Sequence, residues 1–462
     1  MVNRSEGAPG SGGGRRLKVR RGLGITAVGI LAATLLSACG EEGKPTLHWY
    51  VNPDGVATFE TYADECSTDD YDISVEQLPS SATDQRVQLA RRLAAEDSST
   101  DLMNLDPVFV AEFANADWLA EVTDDNANGL ASTITESAQG EGEYLAGAAE
   151  TVIWEDKVFA IPLWANTQVV WYRKSLAEAA GLQIGPDQPV TWEQIIQAAI
   201  DNNGSVGVQA NRYEAYVVWI NAMMQGAGGD IVSETEAGKD AQVDLDSDAG
   251  RQAAEIIQML ASSPAAHPDL SVSNEGTSLG RMFPADPEAP QGAGEFMVNW
   301  TFVYKNYEGL IDAGGITQEQ FDDLGYARYP QTVEGEPSKP PIGGIDIGVG
   351  AYSEHPDFAM EAAQCITSTQ AQVDLALNDG LMPSTNSAYD EVSASGDFPE
   401  DLIELYRTSV DEGGPRPKSA FYAMISSAVQ AEWHSPESVD PDSTPQDSSD
   451  YLQDVLQGKA LL

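Results

Sequence analysis

The stretch ATDQRVQLARRLAAEDSSTDLMNLDPVFVAEFA, residues 82–114, decides the fold class. In its first half Val87, Ala90, Leu93 and Ala94 recur three and four apart, which places them on one helix face with the charges opposite. Its second half opens as a buried apolar strand, breaks at Asp106-Pro107 and resumes as a helix. Proline has no N–H to give a sheet, so the strand has to end there. Upstream, TLHWYVN reads as a strand closing in the polar turn Asn52–Gly55, VATFETYADEC as a helix, and YDISVEQLP as a second strand. This alternation predicts an α/β protein with a largely parallel sheet and helices on both faces.

Downstream, EDKVFAIPLWANTQVVWYRKSLAEAAGL reads as a strand, a proline bend and a second apolar strand running into a helix. Thr191 is the expected N-cap of a helix over VTWEQIIQAA. Residues 200–335 mix helices with glycine-rich loops such as Gly226–Asp230, and Pro284–Gly294 reads as a surface loop. GGIDIGVGAY is strand-like and leads to a helix through Cys365 that Ser353 can cap. The segment SPESVDPDSTPQDSS, 435–449, reads as a polar, mobile stretch before a last short amphipathic helix. There is no internal repeat.

The N-terminus carries its own signal. RRLKVRR precedes an apolar run from Gly22 to Leu36, then L-S-A-C at Leu36–Cys39. The run is shorter than the ~20 residues of a comfortable bilayer span and suits a signal-peptide core. L-S-A-C followed by Gly40 resembles the bacterial lipobox, which implies cleavage before Cys39 and a lipid on its thiol. The expectation is a lipoprotein signal peptide over 1–38, a tether over 39–45 and no other membrane anchor. An ordinary signal peptide with a chance cysteine is the plainer alternative, and Sec and twin-arginine export both stay open.

Of 24 basic and 73 acidic residues, six basic ones (Arg4, Arg15, Arg16, Lys18, Arg20, Arg21) and Glu6 fall in the leader, which leaves 18 against 72. So acidic a surface repels phosphates, and nucleic acid is not an expected partner. Cys66 and Cys365 remain after lipidation. In an exported chain they suggest one disulfide, with two separate buried thiols as the alternative. With four histidines and no Cys/His cluster, neither a metal nor another cofactor is expected.

No G-x-S-x-G elbow, dinucleotide fingerprint or P-loop is present, although so many acids leave a catalytic carboxylate pair open. A sugar site needs polar side chains for hydroxyls and a flat ring for C–H faces, at strand ends in a cleft. Asn52, Asp106, Asn166, Glu275, Trp300 and Arg416 sit at such places. Each also has a plain structural role: Asn52 a turn, Asp106 a helix cap, Trp300 strand core, Arg416 a pairing with one of many acids.

The order of motifs carries more. TLHWYVNPDG, LARRLAAEDSSTDLMNLDP, AIPLWANTQVVWYRKSLAEAAGL with PVTWEQI, GEFMVNWTFVY, GGIDIGVGAYSEHPDFAMEAAQCITSTQAQ and DGLMPS follow one another from about residue 46 to 435. In that sequence they resemble the family 1 extracellular solute-binding proteins of ABC importers, the maltose-binding type. LDPVFVAEFA, NWTFVY and PRPKSAFYAMISSAVQ are most similar to the trehalose-binding lipoproteins of actinobacterial sugar importers.

The resemblance implies a two-lobed periplasmic-binding-protein fold, type II, with the ligand cleft between lobes. It implies an N-lobe of 46–155 plus 342–390 and a C-lobe of 156–341 plus 391–462. Asp106, Asn166, Glu275 and Arg416 would bind sugar hydroxyls and Trp300 would stack. Gly344 and Ile345 would line the cleft, with Asn52 and Gln85 contributing from the first lobe. Cys66 and Cys365 would share a lobe, which favours the disulfide. The implied function is non-enzymatic: hinge closure on a disaccharide or small oligosaccharide, trehalose before a maltose-like glucan. The monomer would sit on the outer face of the cell membrane and serve ABC permease subunits. A secreted glycoside hydrolase and the ligand-binding subunit of a signalling receptor are the competing readings.

Overall fold

The computed structural model describes residues 43–283 and 294–462. The expected leader, Cys39 and all of the expected loop Pro284–Gly294 except Gly294 lie outside the described residues. One eight-stranded sheet organises the chain: β1 (Thr46–Val51), β2 (Asp72–Gln77), β3 (Leu102–Leu105), β4 (Ala160–Arg173), β5 (Ser205–Gly207), β6 (Gly294–Trp300), β7 (Leu324–Ala327) and β8 (Ile342–Val349). Its order is β2-β1-β3-β8-β4-β6-β5, and β7 also pairs with β4.

The two ends of this path are parallel, β2-β1-β3 and β6-β5, as the strand-helix alternation predicts. The middle is not. β8 runs antiparallel to both β3 and β4, and β4 runs antiparallel to β6 and β7. The expectation of a largely parallel sheet is therefore corrected. β4 and β8 each return from long excursions of the chain, and no local βαβ crossover constrains their direction.

β4 is also one 14-residue strand, not two strands around a proline bend. Pro162 lies within it, and the ladder absorbs it by an irregularity: the β8 register passes from Ile345↔Trp164 directly to Asp346↔Pro162. Such a bulge is where a strand tolerates a residue that cannot donate.

The helices that carry the core and the site are α1 (Val56–Glu65), α2 (Ala82–Ala94), α3 (Val110–Asn115), α4 (Trp192–Asn202), α5 (Glu214–Gly226), α6 (Glu275–Met282), α7 (Pro356–Ile366), α8 (Thr369–Asp379), α9 (Tyr422–Trp433) and α10 (Thr444–Leu456). Thr191 caps α4 as expected, in a reciprocal box with Gln194. The inward face of α2 is Gln85, Leu89 and Leu93, while Ala94 is exposed. The expected stripe was thus turned on the helix: Leu89 and Gln85 face in, a polar side chain among them because it faces a cavity. Ser353 is not the cap of α7. That helix starts at Pro356 after His355, and Ser353 instead donates its hydroxyl to Asp101 and accepts the His355 N–H.

The core divides along β4. Ile161, Leu163 and Trp164 join a cluster with Trp49, Phe59, Leu93 and Ile347. Farther along, Val170 and Tyr172 pack with Trp192, Trp219 and Phe296, and alternate Val169 and Trp171 pack with Met297, Tyr389 and Tyr406. This explains the apolar runs on either side of Asn166–Gln168 in this strand: both faces are covered there. The tail is ordered, contrary to expectation. Pro445 and Ser448 are buried, Trp433 Nε1 donates to Ser448 Oγ, and Leu452, Val455 and Leu456 of α10 complete the second cluster. Its prolines sit in the first turns of the short helical turn Pro436–Ser438 and of α10 instead of loosening a linker.

Cys66, at the end of α1, is disulfide-bonded to Cys365 on α7, with their Cα atoms 5.8 Å apart across 299 residues of sequence. No described helix is long and apolar enough to cross a membrane.

Candidate functional site

The loops after β1 and β3, the end of β6, the middle of β4, the first residues of β8 and the N-termini of α2, α5 and α6 surround a cavity of about 490 Å³. All nine ligand-contact residues expected from the sequence, Asn52, Gln85, Asp106, Asn166, Glu275, Trp300, Gly344, Ile345 and Arg416, line this one cavity.

On the β1–β3 side, polar groups are held in series. Trp49 Nε1 donates to Asn104 Oδ1 (2.7 Å), and Asn104 Nδ2 donates to Asn52 Oδ1 (2.8 Å). With its oxygen occupied, the Asn52 amide N–H group is left to the cavity and to Asp54. Gln85 is oriented by donation to the Pro79 carbonyl at 2.8 Å. Trp164 is stacked on Phe59, ring centroids 5.8 Å apart and 13° from parallel.

Where β3 breaks, Asp106 does two things. It accepts from the Val108 N–H, the expected capping role, and it takes both Arg416 terminal nitrogens, at 2.7 and 3.3 Å. Arg416 Nη1 also donates to Glu214 Oε1 at 2.8 Å. Glu214 in turn accepts from the Tyr422 hydroxyl and, at 2.6 Å, from Ser426. Arg416 is only 5% exposed. Burial works against its charge, but Asp106 and Glu214 more than offset that and hold it protonated.

The opposite wall comes from α6, β6 and β8. Glu275 begins α6, where Asn274 caps the helix, and its carboxylate accepts from the Tyr213 hydroxyl at 2.7 Å. Burial pushes the Glu275 carboxyl upward. Trp300 ends β6, half-buried. Its ring lies so close to Gly343 that a Cβ there would meet it at 2.9 Å. Gly344 has φ +136°, and a Cβ would stand 2.2 Å from the Trp164 carbonyl. Both glycines let the β8 backbone approach the cavity. Asn166 accepts from the Thr301 hydroxyl at 3.1 Å.

Seven further polar liners escaped the sequence reading: Ser80, Ser81, Thr83, Asp54, Tyr213, Glu214 and Asp379. Asp54 sits in the NPDG turn and Asp379 opens DGLMPS, so both were within segments singled out for other reasons. Tyr213 and Glu214 lie in a stretch with no motif and could not have been found that way. Asp379 accepts from the Thr58 hydroxyl at 2.8 Å. Among the described residues no group of three or more His, Cys, Asp and Glu is arranged to hold a metal.

Carboxylates, amides and a guanidinium around aromatic faces can accept hydrogen bonds from, and donate them to, a hydroxyl-rich molecule. The chain matches the family model described as bacterial extracellular solute-binding protein over residues 52–373. It belongs to that family, one of solute-binding proteins and not of enzymes. A protein of Deinococcus radiodurans named as a probable ABC transporter-binding protein is 27% identical over 246 residues, 50% of this chain and 53% of that protein. The match thus spans about half the length of this curated relative. Maltose-bound MalE3 of T. maritima has the same two-lobed fold, with TM-score 0.71, 20% identity, and coverage of 90% of this chain and 100% of that one. The GacH receptor of Streptomyces glaucescens, solved unliganded and with acarbose, gives 0.70 and 21%, with coverage of 90% and 100%.

Proposed function

We propose that this protein is the lipid-anchored, extracytoplasmic substrate-binding component of a carbohydrate ABC importer. Its ligand on this reading is a disaccharide or small oligosaccharide, trehalose first and a maltose-like glucan next. One observation carries the proposal: nine residues named as sugar contacts, scattered from Asn52 to Arg416, converge on one cavity with an aromatic wall. The maltose and acarbose named for similar folds, and the ABC transporter named for the Deinococcus relative, agree with it.

The proposed division is an N-lobe of 46–155 plus 342–390 and a C-lobe of 156–341 plus 391–462. β4 and β8 join them, since β4 contributes to the three largest hydrophobic clusters. Closure about these strands brings Asp106 and Asn52 toward Glu275 and Trp300, and the ligand stabilises the closed state by contacts from both sides. Permease subunits in the membrane recognise that closed monomer, which is tethered through lipid on Cys39.

Thermal unfolding across a panel of sugars tests the proposal. A ligand at about 100 times its dissociation constant stabilises by ~2.7 kcal/mol, a readily measured rise. A panel in which no sugar shifts the transition overturns it. Lipid on Cys39 is tested by mass spectrometry of the membrane-extracted protein, where an unmodified Cys39 would refute the anchor.

A further inference from the structure

Among the described residues the cavity wall carries five carboxylates, Asp54, Asp106, Glu214, Glu275 and Asp379, and a single cation, Arg416. Arg416 is already committed, its terminal nitrogens bonded to Asp106 and Glu214. The other three acids have only neutral donors: Tyr213 for Glu275, Thr58 for Asp379, and the Asn52 amide, 3.4 Å away, for Asp54. They also act on one another. Burial raises the carboxyls of Glu275 and Asp379, and the charge of Asp54 raises both further. This end of the cavity therefore holds uncompensated negative potential.

The N-termini of α2, α5 and α6 pull the other way, and those of α5 and α6 are already answered by Glu214 and Glu275 in their first turns. The N-terminus of α2, at Ser81–Thr83, lines the cavity, and helix N-termini favour anions. That end is already answered: Ser81 Oγ accepts the Asp84 N–H, and Asp84 puts a negative charge in the first turn.

We propose that Asp54, Glu275 and Asp379 form a charge filter, which admits neutral and amino-bearing sugars and rejects sugars of the same shape carrying phosphate or carboxylate. The inference rests on the sugar-binding reading above and specifies its substrate class. A sugar hydroxyl donates to a carboxylate, so a neutral ring satisfies these acceptors. A phosphate at neutral pH offers about two negative charges and almost no donor, and meets like charge in a partly dry site. An ammonium group supplies both donors and the missing charge, and the faces of Trp300 and Tyr213 favour a cation beside them.

The test is calorimetric titration of the full mature protein with trehalose and maltose, each beside its 6-phosphate, and with 6-amino-6-deoxytrehalose. In the wild type the phosphate should bind at least ~100-fold more weakly than the neutral sugar, and the amine at least as tightly as the neutral sugar. The double variant Asp54→Asn/Asp379→Asn should narrow the neutral-to-phosphate ratio by ~10-fold or more, even as neutral binding weakens. If that variant fails to fold, Asp54→Asn alone carries the test, because Asp54 is exposed at the cavity mouth and outside the core. Equal binding of neutral sugar and phosphate overturns the filter and leaves the sugar reading standing. So does a rejection that the variants do not relieve, which is steric. If no member of the set binds, the disaccharide reading itself fails and the filter falls with it.

Discussion

Arg416 and Asp106 lie 310 residues apart in the chain and 2.7 Å apart in the fold, where they join the turn after β3 to the segment that enters α9. The same guanidinium reaches Glu214 at the start of α5, so one buried cation holds three distant parts of the protein around the cavity.

Removing that cation should be costly. Arg416→Ala leaves Asp106 and Glu214 without their counter-charge, and loss of one partner of a buried pair costs about 3–5 kcal/mol. Denaturant unfolding checks this, and a midpoint within error of wild type would refute it. Arg416→Lys should recover only part, since one ammonium cannot reproduce the forked contact. Asp106→Asn should lower sugar affinity by roughly ten- to a hundred-fold through a lost charged partner.

Trp300→Ala should separate binding from folding. The ring is half-buried at the end of β6 and closes the aromatic wall, so its loss should weaken sugar binding by about 1–3 kcal/mol with a much smaller change in stability. Titration together with thermal unfolding reads both. Unchanged affinity would remove Trp300 from the site.

The paired glycines predict a split. Gly344→Ala forces a side chain into φ +136° and onto the Trp164 carbonyl, and should destabilise by about 1–3 kcal/mol or more. Gly343→Ala meets only the far edge of the Trp300 ring, which can turn, and should act mainly on affinity. Parallel stability and binding measurements on the two variants should therefore give opposite profiles.

Cys66→Ala/Cys365→Ala opens a bridge across 299 residues of sequence and should cost about 2–5 kcal/mol. Ligand affinity, measured well below the lowered midpoint, should not change, because neither cysteine lines the cavity. A fall in affinity of the folded variant would show that the bridge also shapes the site.

His267 supplies a pH dependence. Burial first, then the neighbouring Arg281 charge, pushes its imidazole down to about 4, with Asp269 opposing. The unfolded chain takes up the proton near 6.5 and the folded chain does not. The folded state therefore loses stability as pH falls from about 6.5 toward 4, and keeps its full value above that window. Buried Asp346, whose carboxyl burial raises well above the usual range, acts in the opposite sense. The comparison is thus wild type against His267→Gln over this window, in which the variant should lose less. Parallel curves would refute the assignment.

Much of the molecule was legible because its signals are local. Thr191 and Gln194 form their capping box within four residues, and Asp106-Pro107 ends β3 locally, with Asp106 capping the turn that Pro107 starts. The misreadings are equally specific. Periodicity alone did not separate the Leu89 face of α2 from the Ala94 face, because its inward side includes Gln85. Pro162 looked like a break because the bulge that accommodates it depends on β8, almost two hundred residues later. The 435–449 segment looked mobile because its partners lie in α9 and in the helix Asp248–Ala261, which only the fold brings to it.

By itself the sequence determined most of the elements, the lipobox-like run Leu36–Cys39, the acidic composition, and nine of the residues that line the cavity. Only the tertiary structure decided that the middle of the sheet is antiparallel, that Arg416 is committed to Asp106 and Glu214, and that Asp54 and Asp379 belong to the site. The physical reason is range. Caps, turns and amphipathic faces are set by neighbours a few residues away, whereas strand direction, charge balance and cavity walls are set by groups that only the folded chain brings within a few ångströms of one another.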